Sequence, residues 1–236
     1  MRVLYLIGGS GGETRTAFRD RILAFVRDHL APLADEAVVA VTEEPPPNRS
    51  VIPFRRDLVA LVSLDGIADD AGWPESPAGF AGAHLSEVAR PVVHERTWDL
   101  GTRSPGVGLL TLFRRRPGLP DEEFRSRWFD GHTPLTLQVH PNAGYVRNFV
   151  PSPFEPPNAA VGRRFEAWDG IVEEQYDPPS NLLRARRFFG GSAWRMVPTM
   201  IRVYRDVKGF IDYPSIKTWL TAEYRLKEPS GAAARG

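Results

Sequence analysis

Short apolar runs bounded by turn-forming residues recur along the first half of the chain and predict strands. Each run has five to seven residues, a length typical of buried strands and too short for buried helices. The runs are Val3 to Ile7, Ala37 to Thr42 and Leu58 to Leu64, and a last strand is predicted over Val92 to Trp98. Residues 66–83 are rich in Gly, Ala, Pro and Asp, so any helix there is short or irregular.

A helix is predicted between the first two of these strands, because apolar residues recur there every three or four positions. The apolar stripe consists of Phe18, Ile22, Phe25, Val26 and Leu33, with His29 near its middle. We expect His29 to satisfy a polar group inside the first half of the protein.

The second half opens with the clearest pattern of the chain. Residues 107–113 are apolar on both alternating faces, as in a central strand. A turn containing Pro117 and Gly118 follows, and three acidic residues then begin a helix over 121–131, where the helix dipole favours negative charge. The remaining pattern predicts strands over 144–150, 165–176 and 215–226, with helices within 180–207.

His132 lies at the edge of an apolar stripe in this second helical region. The stripe consists of Phe124, Trp128, Leu135 and Val139, which recur at helical spacing. His132 is therefore expected to face the protein. Pro134 disfavours the α conformation at Thr133, so we expect the helix to end or kink there.

The two halves have the same order of predicted elements, which indicates an internal duplication of a βαββαβ unit. The segment His29-Leu-Ala-Pro-Leu33 also resembles His132-Thr-Pro-Leu135. We predict an α+β fold with two ferredoxin-like repeats, residues 1–105 and 106–228, that pack into one barrel within the chain. Residues 229–236 are predicted to form a disordered tail.

Composition narrows the class of protein. Of the residues, 42% are hydrophobic and 25% are charged, as in ordinary globular proteins. The net charge of +1 argues against nucleic acid as a partner. The chain has no cysteine, which excludes disulfides, thiolate catalysis and cysteine-bound zinc. The apolar run near the N-terminus is too short for a signal or a membrane span, so we expect a cytoplasmic protein without a membrane partner.

The second half resembles the EthD-like family of the dimeric α+β barrel superfamily. The resemblance rests on Phe113 to Phe124, Trp128 and His132-Thr-Pro-Leu135, followed by Tyr145-Val-Arg-Asn148, Trp168 to Glu173, and Asp206 with Phe210 and Asp212. The first half lacks the Pro-Gly-Leu turn and the Trp before its histidine. The resemblance implies that ordinary members consist of one βαββαβ unit and form homodimers. This chain would form the same barrel from two units fused in one chain.

The resemblance also implies a range of activities. Members include proteins tied to ether degradation and, more distantly, cofactor-free cyclases, dehydratases and monooxygenases that act on aromatic polyketides. Some relatives in the superfamily bind haem through one histidine, which leaves haem as the alternative cofactor. Fold alone does not choose among these activities.

His132 is the candidate catalytic residue, because an imidazole has a pKa suited to proton transfer near neutrality. The alternative is that His132 only forms hydrogen bonds at a kinked helix end. Polar or aromatic residues on nearby predicted strands and the helix are candidates for binding the substrate. They are Trp128, Tyr145, Asn148, Trp168 and Asp169, each of which could instead be structural.

We therefore expect an enzyme without a cofactor or metal that acts on a hydrophobic aromatic or polyketide-like molecule by cyclisation, dehydration or a related proton transfer. Two copies of the fused barrel could in addition form a homodimer. The alternative function is a non-catalytic protein that binds a small ligand, as in ether-degradation operons. A haem-binding protein or a cofactor-free monooxygenase is a further alternative.

Overall fold

The computed structural model describes residues 2–68, 72–89, 99–154 and 167–228, and its strands form one antiparallel sheet closed into a barrel. The strands of the first half are β1 (Arg2–Gly8), β2 (Glu36–Val41), β3 (Val59–Asp65) and β4 (Phe80–Ala89). Those of the second half are β5 (Val107–Phe113), β6 (Gly144–Phe154), β7 (Gly170–Tyr176) and β8 (Lys217–Lys227). The order around the barrel is β1-β3-β2-β8-β5-β7-β6-β4.

Helices lie outside the barrel and connect the strands. In the first half, α1 (Arg15–Phe25) continues as a π-helix (Val26–Leu30) and a short 3-10 helix (Ala31–Leu33). In the second half, α2 (Asp121–Ser126) continues through a π-helix (Arg127–His132) into α3 (Thr133–Val139). The connection from β7 to β8 contains α4 (Ser180–Leu183), α5 (Ala185–Phe188), α6 (Ala193–Phe210) and a 3-10 helix (Tyr213–Ser215).

The two halves are joined by two pairs of antiparallel strands. Strand β2 pairs with β8 along Ala37 to Val41, and β4 pairs with β6 along Ala83 to Ala89. Within each half the strands follow one order, β4-β1-β3-β2 in the first and β8-β5-β7-β6 in the second. The predicted α+β class with a curved antiparallel sheet is confirmed.

The first half differs from the sequence expectations at strand β4 and at His29. Strand β4 occupies residues 80–89, where its Gly and Ala content gave no strand signal. The predicted strand at Val92 to Trp98 and the tail at 229–236 lie outside the described residues. Residues 66–68 and 72–79 contain no helix. His29 is exposed and packs beside Phe25, so it does not satisfy a polar group inside the protein.

The second helical region also differs from the prediction, because the chain stays helical through Thr133 to Val139. The π-helix before it widens the backbone, and the Thr133 amide bonds to the Trp128 carbonyl five residues earlier. Pro134, near the start of α3, has no amide hydrogen to contribute at this point. The change of helical geometry therefore accommodates the proline without ending the helix.

The sheet has an apolar layer on each of its two faces. On the helix side of the second half, aromatic residues of the sheet and helices form one cluster; its members include Phe113, Phe124, Trp128, Tyr145, Phe149 and Phe210. Inside the barrel, a second cluster joins both halves through Leu4, Leu61, Leu110, Ile171 and Trp219. Because its members come from strands all around the barrel, this cluster fills the interior.

A polar network also lies inside the barrel. The Arg2 guanidinium forms an ion pair with Asp65, contacts Glu173 Oε1 at 3.3 Å and donates to Asn148 Oδ1 at 3.1 Å. Asn148 Nδ2 donates to Glu173 Oε1 at 2.9 Å, and the Ser63 hydroxyl lies 3.3 Å from the same oxygen. Because Arg2 and Ser63 belong to the first half, the network links the two halves by buried charge.

Gly170 is required by the aromatic cluster of the second half. A methyl group at this position would lie 2.3 Å from Phe113 Cζ and 2.9 Å from the Trp128 ring, although the Gly170 backbone does not have a positive φ. We predict that Gly170→Ala lowers the free energy of unfolding by about 1–3 kcal/mol, the usual cost of overpacking.

Urea unfolding followed by circular dichroism measures this effect. Gly131→Ala is the matched control, because no atom lies within 4 Å of a Cβ at Gly131. Its stability should equal or exceed that of the wild type, since Ala favours a helix. Equal stability of Gly170→Ala and Gly131→Ala would contradict the packing described here.

Candidate functional site

His132 forms a close pair with an aspartate on a separate helix. Its Nδ1 lies 2.6 Å from Oδ2 of Asp206 on α6, and its Nε2 lies 3.0 Å from Oγ1 of Thr136 on α3. The His132 side chain is 14% exposed and that of Asp206 is 29% exposed. The pair therefore lies at the edge of the protein, half-covered but reachable from solvent.

Local packing fixes the imidazole from the other sides. Phe124 and Trp128 anchor the helical segment in the aromatic cluster, and the Phe210 ring lies 5.2 Å from the His132 ring. The Thr133 hydroxyl donates to the Trp128 carbonyl across the wide π turn. Single π turns within α-helices are frequent at functional sites, where they reorient one side chain. Here the π turn ends at His132.

The helix side of the sheet is open near this pair. Thr111 lies on the central strand β5 and is partly exposed, whereas Leu110 and Leu112 beside it are buried. On α6 only Phe210 is buried, and Val203 and Val207 are partly exposed. Helix α6 therefore does not cover the sheet closely, and solvent reaches the sheet at Thr111.

A row of residues connects this opening to the His132 helix. Thr111 pairs with Val172, which pairs with Arg147. The Arg147 guanidinium donates to the Thr133 hydroxyl at 2.9 Å, directly after His132 in sequence. Its centre lies 4.2 Å from the Phe129 ring. Arg147 Nε is buried and has no hydrogen-bond partner.

Buried titratable groups lie under α3 in the next rows of the sheet. Asn142 Nδ2 donates to Oε1 of Glu174 at 2.9 Å, and burial raises the pKa of Glu174 to about 7. Burial also raises the pKa of Tyr145 and that of Tyr176, with the Glu174 carboxylate adding to both shifts. A buried carboxyl with a pKa near neutrality can bind and release protons under ordinary conditions.

His140 directly follows α3, where the backbone leaves the helical conformation. Its Nδ1 lies 2.7 Å from the Phe188 carbonyl oxygen, and its ring stacks on Phe188 at 3.9 Å. Burial lowers the pKa of His140 to about 4. His140 is therefore neutral near pH 7, with Nδ1 as the donor, and borders a surface cleft of about 580 Å³.

The sequence-predicted site residues fall into three places. Trp128 and Tyr145 lie in the aromatic cluster on the helix side, and Trp128 is only 1% exposed. Asn148 is fully buried inside the barrel, and Trp168 lies in the barrel-interior cluster. The Asp169 carboxylate accepts from the Arg115 amide near the sheet edge. Of these residues, Tyr145 and Trp128 are on the side of the sheet that carries His132.

Strand alternation explains this separation. Tyr145 and Arg147 face the helices, so Asn148 faces the opposite side of β6. Sequence reasoning did not assign a role to Asp206, Thr136 or Glu174. Glu174 did carry a signal, because charged residues interrupt β7, a strand in which every residue is buried. The pairing of Asp206 with His132 had no local signal, since 74 positions separate the two residues.

The described residues contain neither a metal site nor a membrane-spanning helix. No group of three or more histidine, cysteine or acidic side chains in this part of the chain is arranged to hold a metal ion. None of the helices within the described ranges is long and apolar enough to cross a membrane.

Glu174 gives a testable dependence of stability on pH. Its pKa rises from the ordinary value of 4.5 to about 7, so the folded protein binds more protons there than the unfolded chain across this window. Stability therefore falls as pH rises through the window, by up to roughly 3 kcal/mol from this group. We predict that Glu174→Gln is more stabilising, relative to the wild type, at about pH 8 than at about pH 5.

Urea unfolding at the two pH values measures this difference. Glu122→Gln is the control, because Glu122 is exposed on α2 and should change stability equally at both. A Glu174→Gln variant whose stability differs from the wild type by the same amount at both values would contradict a raised pKa at Glu174.

Comparison with known proteins identifies the second half. Residues 116–214 match the family model of the EthD domain. A solved structure described as an anthrone oxidase-like protein superimposes with a TM-score of 0.60 and covers 98% of this chain and 95% of its own. Its sequence is 12% identical, so the likeness concerns the fold. No curated protein matches this chain in sequence. The resemblance predicted from the motifs is thus confirmed: residues 116–214 match the EthD domain, and the fold of the whole chain is similar to that of the anthrone oxidase-like protein.

Proposed function

We propose that this protein catalyses a proton transfer on a hydrophobic aromatic molecule without a cofactor, with His132 as the general acid and base. The observation that carries the proposal is the contact of 2.6 Å between His132 Nδ1 and the Asp206 carboxylate. Asp206 accepts a hydrogen bond from the Nδ1–H group, which leaves Nε2 of the neutral imidazole as the basic nitrogen. The same carboxylate stabilises the imidazolium that forms when Nε2 takes a proton.

Thr136 provides a hydrogen-bond donor to Nε2 of His132 while no substrate is bound. Its hydroxyl lies 3.0 Å from Nε2 and donates to it in the neutral state. The hydroxyl can rotate to another acceptor when a substrate C–H group approaches, so Nε2 becomes free without movement of the helix. The partial exposure of His132 supplies the route to solvent that proton exchange requires.

The reaction that suits this arrangement is removal of a proton from a carbon that is conjugated with a carbonyl group. The C–H bond breaks, the proton moves to Nε2, and the electron pair moves to the carbonyl oxygen as an enolate. Arg147 is the candidate for stabilising that oxygen, because its guanidinium is half-buried and donates to Thr133, the residue after His132. Return of the proton to another carbon completes an isomerisation. If the enolate carbon instead forms a bond to a second carbonyl carbon of the substrate, the proton goes to that carbonyl oxygen and an aldol cyclisation is complete. Transfer of the proton to a hydroxyl group on the neighbouring carbon, which then leaves as water, completes a dehydration.

An aromatic substrate fits the surroundings of His132. Phe129, Val203 and Val207 are apolar and partly exposed near the pair. The name of the similar structure, an anthrone oxidase-like protein, points to a fused-ring aromatic ketone of the anthrone type. Such a ketone carries acidic methylene protons next to its aromatic rings, which suits abstraction by an imidazole.

The proposal includes two repeats with boundaries at residues 1–105 and 106–228. Their common strand order supports it, as do the two π-helices that carry His29 and His132. Only the second repeat would be catalytic, because the first offers His29 without an acidic partner among the described residues. Homodimer formation and a cytoplasmic location stay expectations.

A binding role without catalysis is the second candidate. The aromatic cluster fills the space between α2 and the sheet with Phe113, Phe124 and Trp128, which leaves little depth for a substrate there. An accessory protein that holds a small apolar ligand needs only the opening near Thr111. Tight ligand binding without any proton exchange would favour this role.

Exchange of the methylene protons of anthrone with deuterium, in heavy water without oxygen, tests the proposal by NMR. We predict that His132→Gln slows the enzyme-dependent exchange by roughly a hundredfold or more, because glutamine bonds to Asp206 but is not a base. Asp206→Asn should slow it by roughly tenfold or more, since it no longer stabilises the imidazolium.

His29→Gln is the matched control, because His29 also lies in a π-helical segment but is exposed and belongs to the other half. Its exchange rate should equal that of the wild type. Wild-type exchange in His132→Gln would show that His132 is structural. A wild-type protein that exchanges no proton of anthrone would contradict the proposed substrate class.

A further inference from the structure

Helix α6 exposes an apolar stripe that the described part of the chain leaves open, apart from an edge contact between Tyr204 and Tyr213. Trp194 is 92% exposed, Val197 53%, Ile201 46% and Tyr204 45%. These residues are spaced by three and four positions, so they form one line along the outer side of the helix. The opposite side carries Asp206 and Phe210. Large apolar side chains exposed in a continuous line mark an interaction surface.

Positive charge accompanies this stripe. Residues 184–208 contain seven basic residues and one acidic residue, whereas the whole chain has a net charge of +1. The acidic residue is Asp206, which is engaged by His132. Four cations of α6 are exposed: Lys208 lies on the line of the stripe, Arg205 lies beside it, and Arg195 and Arg202 lie on the adjoining flank of the helix. None of these four cations forms an ion pair with a described residue.

We propose that this face of α6 binds the surface of an anionic lipid membrane. A helix that places apolar residues beside arginine and lysine lies in the interfacial region of such a membrane, with its apolar side chains among the lipids. Tryptophan and tyrosine, at the two ends of the stripe, favour this region. The proposal concerns contact with a membrane surface and so differs from our sequence expectation of no membrane partner.

Two other occupants fit less well. A second copy of the chain, packed by a twofold axis, would bring two sets of four cations together, which repel. A protein partner needs a pocket that receives Trp194, because this side chain stands free on a convex helix. A lipid surface receives an exposed tryptophan without a preformed pocket. Because α6 also carries Asp206, the contact would place His132 near a membrane that holds apolar substrates.

Co-sedimentation of the full chain with lipid vesicles tests this proposal. We expect binding to vesicles that contain phosphatidylglycerol and little binding to pure phosphatidylcholine, with the difference reduced by high salt. Arg202→Gln with Arg205→Gln should weaken binding by roughly tenfold or more. Trp194→Ser with Ile201→Ser should weaken it at least as much, because apolar burial is lost.

Two matched control variants distinguish these effects from the loss of any two cations or any two exposed apolar side chains. Arg49→Gln with Arg116→Gln removes two exposed cations elsewhere, and Val51→Ser with Leu100→Ser removes two exposed apolar side chains elsewhere. Both controls should bind like the wild type. Equal binding by all variants, or no binding to anionic vesicles, would overturn the proposal. So would a dimer in solution that the α6 substitutions dissociate, since the face would then join two copies.

Discussion

Closure of the sheet is the constraint on which the rest of the structure depends. Strands β2 and β4 are the outer strands of the first half, and each pairs with a strand of the second half. Without this pairing, both halves would expose unpaired backbone donors and acceptors along two edges. The buried contacts of Arg2 with Glu173 and Asn148 reinforce the same junction. The halves therefore stabilise each other through backbone bonds, apolar packing and charge.

Closure also determines where a ligand can bind. Side chains fill the interior of an eight-stranded barrel, and here leucines, tryptophans and the Arg2 network do so. The remaining space is on the helix side, where the sheet is partly uncovered at Thr111. Helix α6 contributes Asp206 to this space and presents an apolar, basic surface to the outside. One helix thus connects the candidate catalytic pair with the candidate membrane surface.

The sequence predicted the elements of the second half better than the arrangement of the site. Apolar runs such as residues 107–113 identify strands because a central strand is buried on both faces. Strand β4 was not predicted, because its small residues have a low intrinsic propensity for strands. They form a strand through their pairing with β1 and β6. His132 was found from its position in a motif, but Asp206 becomes its partner only when α6 crosses the π-helix. Asn148 and Asp169 lie elsewhere, because the side that a strand residue faces depends on register.

The position of the proton on the neutral His132 ring tests the central claim most directly. NMR spectra of isotope-labelled histidine distinguish a proton on Nδ1 from one on Nε2. The contact with Asp206 predicts that the proton is on Nδ1 and that Asp206→Asn alters the His132 signals, while those of the exposed His29 stay unchanged. A proton on Nε2 in the wild type would contradict the assignment of Nε2 as the base.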